Sequence, residues 1–233
     1  MKVDNDCRIT LGKLKIYKKE FINIARLGIP AGIQGSMFSI SNVLIQSTLN
    51  SFGAVAMAAI SAAGSVEGIL YTAMNAFGNA SVTVCSQNFG AQNKKRILRG
   101  YLICLMCVIV VGGVLGALIV VFSKELVAIY SDVDETIRTG AMRLKVEMPF
   151  YFLCGIMEVS VGALRGIGLS LLPMFVSMFG ACVFRIVWIY TIFEQIYTLR
   201  CLYYSYPASW FLTALVQTVL FIIFYRKMKF KNI

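Results

Sequence analysis

Three ionisable side chains, Glu67, Glu158 and Arg185, lie inside long apolar stretches of this 233-residue chain. A charge in hydrocarbon costs roughly 2.5–3.5 kcal/mol on insertion scales, so such a group ordinarily faces a partner or a cavity. Glu158 precedes Arg165 by seven residues, which at the helical rise sets it about 10 Å from the nearer end of its helix. Arg185 follows Pro173 by twelve residues, about 18 Å, and its long side chain covers part of the difference, so a Glu158–Arg185 ion pair is one expectation. Glu67 lies twenty residues before Gln87, about 30 Å from that end, which suits the opposite headgroup layer or a loop cap. The alternative chemistry is ion binding: a carboxylate in a cavity holds Na⁺ or H⁺, and its occupancy competes with a bound solute. The residues alone leave both readings open.

Uncharged polar residues also recur at helical spacing. Gly35, Ser39, Asn42, Gln46 and Asn50 share one helix face, and Gly64, Gly68, Tyr71, Asn75 and Gly78 share a face of the next helix. Neither stripe belongs against lipid. Small residues and amides commonly bond or closely pack neighbouring helices, the expectation for Gly35, Ser39 and the second stripe; Asn42 and Gln46 suit that role or a polar path equally. Asn75 is a further candidate for the cavity wall.

The elements that position these groups are long apolar helices. The composition is 58% hydrophobic and 14% charged, whereas soluble domains average about 45–50% apolar and about 25% charged. A spanning helix needs about 20 mostly apolar residues, and six such segments fit. They run from about Ala25 to Leu49, Ala54 to Gln87, Ile97 to Phe122, Pro149 to Leu164, Pro173 to Phe193 and Pro207 to Tyr225. Proline at a helix start loses no hydrogen bond, and Pro30 falls in the first turns of the first segment. The polar interval Ser123–Lys145 is expected to hold a short surface helix. The expected organisation is a basic amphipathic leader over residues 1–24, six transmembrane helices over 25–226 and a basic tail over 227–233.

Orientation follows from lysine and arginine, because positive loops stay in the cytosol. Sixteen of the 22 fall in the leader, the loop at Lys94–Arg99, Arg165 and the tail; five, Lys124, Arg138, Arg143, Lys145 and Arg200, fall on the other side. Both termini are therefore expected in the cytosol of a cell-membrane protein. The net charge of +11 reads as topology and contact with anionic lipid, not as a nucleic-acid footprint, since it is dispersed over loops. There is no histidine, and the seven cysteines sit mostly in apolar stretches, so the Cys104-x-x-Cys107 spacing reads as helix packing and no metal or cofactor site is proposed. With no Ser/His pair, paired acids or histidine cluster, an enzyme is not expected.

Four motifs appear in order at helix ends: Leu27-Gly28-Ile29-Pro30-Ala31-Gly32, Gln87-Asn88-Phe89-Gly90-Ala91-Gln92-Asn93, Gly162-Ala163-Leu164-Arg165-Gly166-Ile167-Gly168 and Tyr206-Pro207-Ala208-Ser209-Trp210. Together they resemble the C-terminal half of the multidrug and toxic compound extrusion family over nearly the whole chain. Arg165, Gly166 and Gly168 then form a structural turn. The resemblance implies an all-α membrane protein, six helices forming one lobe of a twelve-helix transporter, which exports small cationic or amphipathic substrates in exchange for Na⁺ or H⁺ by alternating access. Its partners would be the bilayer and a second six-helix lobe, either an N-terminal half or another copy. Relatives carry an acid on the first helix of this half, where Gln34, Asn42 and Gln46 are the nearest polar residues here, and another that aligns with Cys154. The alternatives are a lipid-linked saccharide flippase of the same superfamily or a truncated, non-transporting membrane fragment.

Overall fold

The computed structural model describes Lys15 and residues 17–228, and every described element is helical. Most of the leader, and the tail beyond Met228, lie outside the described residues. The long helices are α1 (Lys18–Asn50), α2 (Ala54–Gly90) and α3 (Lys94–Val121). A short α4 (Ser123–Ala128) precedes α5 (Asp134–Glu147), which runs through the 3-10 turn Met148–Phe150 into α6 (Tyr151–Gly166). Next come α7 (Leu171–Ser177), α8 (Phe184–Trp188) and α9 (Glu194–Ile196), joined end to end by π-helical turns at Met178–Val183 and Ile189–Phe193. The last helix is α10 (Leu199–Lys227).

Five of these stretches are long and apolar enough to cross a membrane: Ala54–Gly90, Lys94–Val121, Asp134–Gly166, Leu171–Ile196 and Leu199–Lys227. At 33 residues α1 is equally long, but its polar stripe keeps it out of that set. The solvent for this surface is readable from burial. The most apolar stretch, α3, is the least enclosed, with 22% of its membrane-length window buried, whereas the least apolar, Asp134–Gly166, is 61% buried. Leu102, Ile103, Met106 and Val110 of α3 face outward, while Ser81, Ser160, Thr213 and Gln217 are buried. Water would favour the opposite arrangement; a hydrocarbon surround favours this one.

Helices α2 and α6 form the central pair, with α3 packed on both and α10 on α5 and α6. Their contact depends on glycine: a Cβ on Gly162 would strike the Gly78 carbonyl oxygen, and one on Gly78 would sit 3.2 Å from the backbone of Glu158. Close backbone approach of this kind gains dispersion where lipid offers no hydrophobic drive. α1 stands more apart, leaning on α7 and the first π turn. The ends alternate as a serpentine requires: Ser51 Oγ meets Tyr197 Oη at 3.0 Å at one end, while Lys94 Nζ donates to the Met228 carbonyl at 2.8 Å and Ser170 Oγ to the Leu27 carbonyl at 2.8 Å at the other.

Several helix bounds differ from the sequence expectation. α1 begins at Lys18, so the last residues assigned to the leader are continuous with the first long helix. α10 begins at Leu199, leaving Pro207 inside it, and Pro30 likewise lies inside α1. Interior proline is tolerated in membrane helices because neighbouring groups re-satisfy the freed carbonyl. The interval after α3 holds not only the short α4 but all of α5, which continues into the spanning helix instead of ending at the surface. Cys104 is buried and Cys107 half-buried along α3, both as free thiols. In the turn after α6, Gly168 has φ +88°, a conformation that favours glycine.

Candidate functional site

Two of the polar stripes line a cavity of about 490 Å³ between α1, α2, α6 and α10. Gly35, Ser39, Asn42 and Gln46 form its α1 wall, and Gly64, Glu67, Gly68 and Tyr71 its α2 wall. Apolar and aromatic residues, among them Phe38, Ile45, Met157, Tyr151, Tyr206 and Trp210, make up most of the rest. The ends of both stripes do other work. Asn50 accepts a long 3.5 Å hydrogen bond from Gln46, Asn75 accepts one from Asn79 at 2.9 Å within α2, and Gly78 packs on α6. Asn75 does not line the cavity.

Four charged side chains line it: Glu67, Glu158, Arg143 and Arg185. The expected Glu158–Arg185 pair does not form. Arg185 Nε donates to Ser209 Oγ at 2.9 Å, and its guanidinium lies 4.2 Å from the centroid of the Tyr206 ring. Ser209 and Tyr206 are one turn apart on α10, so a hydroxyl and a ring face hold the cation against α10, away from α6. Among the described residues the Glu158 carboxylate accepts no hydrogen bond and has no cation within 4.0 Å.

Arg143 sits instead at the centre of an ionic cluster, although the sequence placed it in a loop and Glu67 at a headgroup layer or loop cap. Nη2 pairs with Glu67 at 2.6 Å, Nε with Glu147 at 3.0 Å, and Nη1 donates to the Ile60 carbonyl at 3.3 Å. Tyr151 Oη donates to the other Glu67 oxygen at 3.4 Å. Every nitrogen of this buried guanidinium therefore has an acceptor, which is the condition for a buried ion pair to persist. Because α5 continues into α6, Arg143 rides on the same rod as Glu158 and is drawn inside the bundle.

Gln34 is not part of the cavity either. It is buried near the opposite end, where Arg165 Nη2 donates to its Oε1 at 2.9 Å and its Nε2 donates to Ser177 Oγ at 3.0 Å. Gln217 Nε2 donates to the same hydroxyl at 2.8 Å, so the latch joins α1, α6, α7 and α10. Gly166 fits where a Cβ would lie 2.7 Å from that of Cys85. The residues missed by sequence reasoning are Arg143, Glu147, Tyr151 and Ser209. Arg143 and Glu147 did carry a signal, an opposite-charge pair four residues apart on the helix face shared with the small residue Gly140.

Residues 30–191, more than half of the chain, match the family model described as MatE. The chain is 27% identical over 166 residues to "Probable multidrug resistance protein YoeA" of Bacillus subtilis, covering 71% of this chain and 36% of that protein. It is 29% identical over 160 residues to "Probable multidrug resistance protein NorM" of Thermotoga maritima, covering 66% and 33%. The fold superimposes on an outward-facing multidrug resistance MATE family transporter of the MOP superfamily with a TM-score of 0.85 at 17% identity, covering 94% of this chain and 49% of that one. A MOP superfamily transporter from Pyrococcus furiosus gives 0.86 at 17% identity, covering 95% and 50%. The chain thus spans about a third of the length of these curated relatives and half of the solved ones. With its membrane-length apolar helices and the match over residues 30–191, it is a multi-pass membrane protein that belongs to the MatE family of transporters.

Proposed function

We propose that the chain is one lobe, the C-terminal half, of a secondary active transporter that exports cationic or amphipathic compounds in exchange for Na⁺ or H⁺ by alternating access. The observation that carries this reading is Glu158, a carboxylate lining a cavity of drug-sized volume with no cation in ion-pair contact among the described residues, Arg165 acting on it only from beyond 4.0 Å. Small-molecule sites commonly occupy about 300–1,000 Å³, with mainly apolar and aromatic walls and a few polar groups. A membrane-embedded carboxylate without a partner gains most from a cation, and Na⁺, H⁺ and the ammonium of a substrate all qualify. Mutually exclusive occupancy by ion and substrate is the simplest basis for exchange.

A second lobe would close the cavity, consistent with a chain that matches half of its solved neighbours. Both termini are assigned to the cytosol, an assignment that gains from Arg143 being buried, since it removes one of five basic residues from the opposite side. A flippase for lipid-linked saccharides would call for a cationic cavity. Here Arg143 is matched by Glu67 and Glu147, and Arg185 alone adds cationic charge to the wall without an acid in contact among the described residues, too little to favour that alternative. The test is dye flux from proteoliposomes of the intact protein. Imposed Na⁺ or pH gradients should accelerate exit several-fold over passive leak, whereas flux indifferent to both gradients contradicts ion coupling.

A further inference from the structure

At the end of the bundle opposite Lys18 and Lys227, a second hollow of about 380 Å³ lies between α4, α5 and α10, lined by Lys124, Arg138, Lys145 and Arg200. These are the four basic residues left on that side once Arg143 is withdrawn into the core, and they run against the charge bias of the rest of the chain. Among the described residues no acidic side chain lines the hollow. None of the four forms an ion pair among the described residues, and Arg200 Nε donates to the thioether of Met142, a weak acceptor, at 3.3 Å. The spacing places them deliberately: Arg138, Met142 and Lys145 share one face of α5, and Arg200 and Tyr204 share one face of α10. Four like charges gathered from three helices repel one another unless an anion sits among them.

We propose that this hollow binds the phosphate headgroup of an anionic lipid in the leaflet at that end. Two further features favour a lipid over a free anion. Asp134–Gly166 has 33 residues, about 50 Å of helix against a hydrocarbon core of about 30 Å, so the first turns of α5 lie at headgroup level. Met142, Val146 and Tyr204 line the hollow beside the charges, and Tyr204 is 50% exposed, so an apolar wall is ready for the glycerol and upper acyl carbons. Arginine forks bind phosphate oxygens in pairs, and lysine adds charge. This site stands apart from the 490 Å³ cavity and does not depend on what that cavity carries.

Native mass spectrometry of the intact protein, with phosphatidylglycerol or phosphatidylcholine added to a neutral detergent, tests the proposal. Phosphatidylglycerol should be retained at least about tenfold better. The exposed double variant Arg138→Gln/Arg200→Gln should erase that preference, and so should Lys124→Gln/Lys145→Gln, while Lys95→Gln/Arg99→Gln at the other end should preserve it. Millimolar inorganic phosphate should not displace the lipid. Equal retention of the two lipids, a preference that survives both double variants, or displacement by inorganic phosphate alone would overturn it.

Discussion

Arg143→Met should destabilise the protein by about 3–5 kcal/mol, because it strands two carboxylates that the bundle encloses against a single cation. Glu147 is fully buried, and its Oε2 has no hydrogen-bond partner even in the intact cluster. Without the guanidinium its other oxygen loses its partner as well, and Glu67 keeps only the 3.4 Å bond from Tyr151. The expected readout is a fall in Tm on the order of 10 °C in detergent, by the usual scaling for a chain of this size. The triple variant Glu67→Gln/Arg143→Met/Glu147→Gln should recover most of that loss, since it removes the charges together. A single variant as stable as the wild type would mean that the cluster is solvated.

Glu158→Gln should abolish ion-driven efflux, reducing transport to passive leak, while the protein inserts and folds as before. The amide keeps the shape of the carboxylate but cannot hold a proton or balance a bound cation. Among the described residues no ion pair or hydrogen bond is lost with the charge, only a longer-range attraction to Arg165, so stability should change little, in contrast to Arg143. Arg185→Gln separates the two roles: it removes the contact with the Tyr206 ring and weakens the tie to Ser209, so it should lower stability more than it lowers ion dependence. If Glu158→Gln transported with an unchanged gradient dependence, the coupling group would have to be sought elsewhere.

Helix periodicity and apolar length made the long segments, their alternation and the polar stripe of α1 legible in the sequence. Helix ends were harder. Pro30 and Pro207 look like starts by local chemistry, yet tertiary contacts carry α1 and α10 through them. The polarity of Ser123–Lys145 looked like a loop because local composition does not reveal that Arg143 meets Glu67, which is 76 residues away. Depth along a helix made Glu158 and Arg185 look like partners. Rotation about the axis decides contact, and the two π turns around α8 set that rotation in a way no 3.6-residue periodicity anticipates. Gln34, grouped with Asn42 and Gln46 by polarity, lies two turns from Asn42 and ends in the buried latch instead.

Whether the space between α1 and α2 is the substrate path can be measured directly at Asn42, an exposed residue of the cavity wall. With the seven native cysteines replaced, Asn42→Cys in the intact protein should react with a hydrophilic maleimide, and a transported dye should slow that reaction in proportion to its occupancy. A labelling rate unchanged at saturating dye would place the substrate somewhere else and contradict the assignment of this cavity.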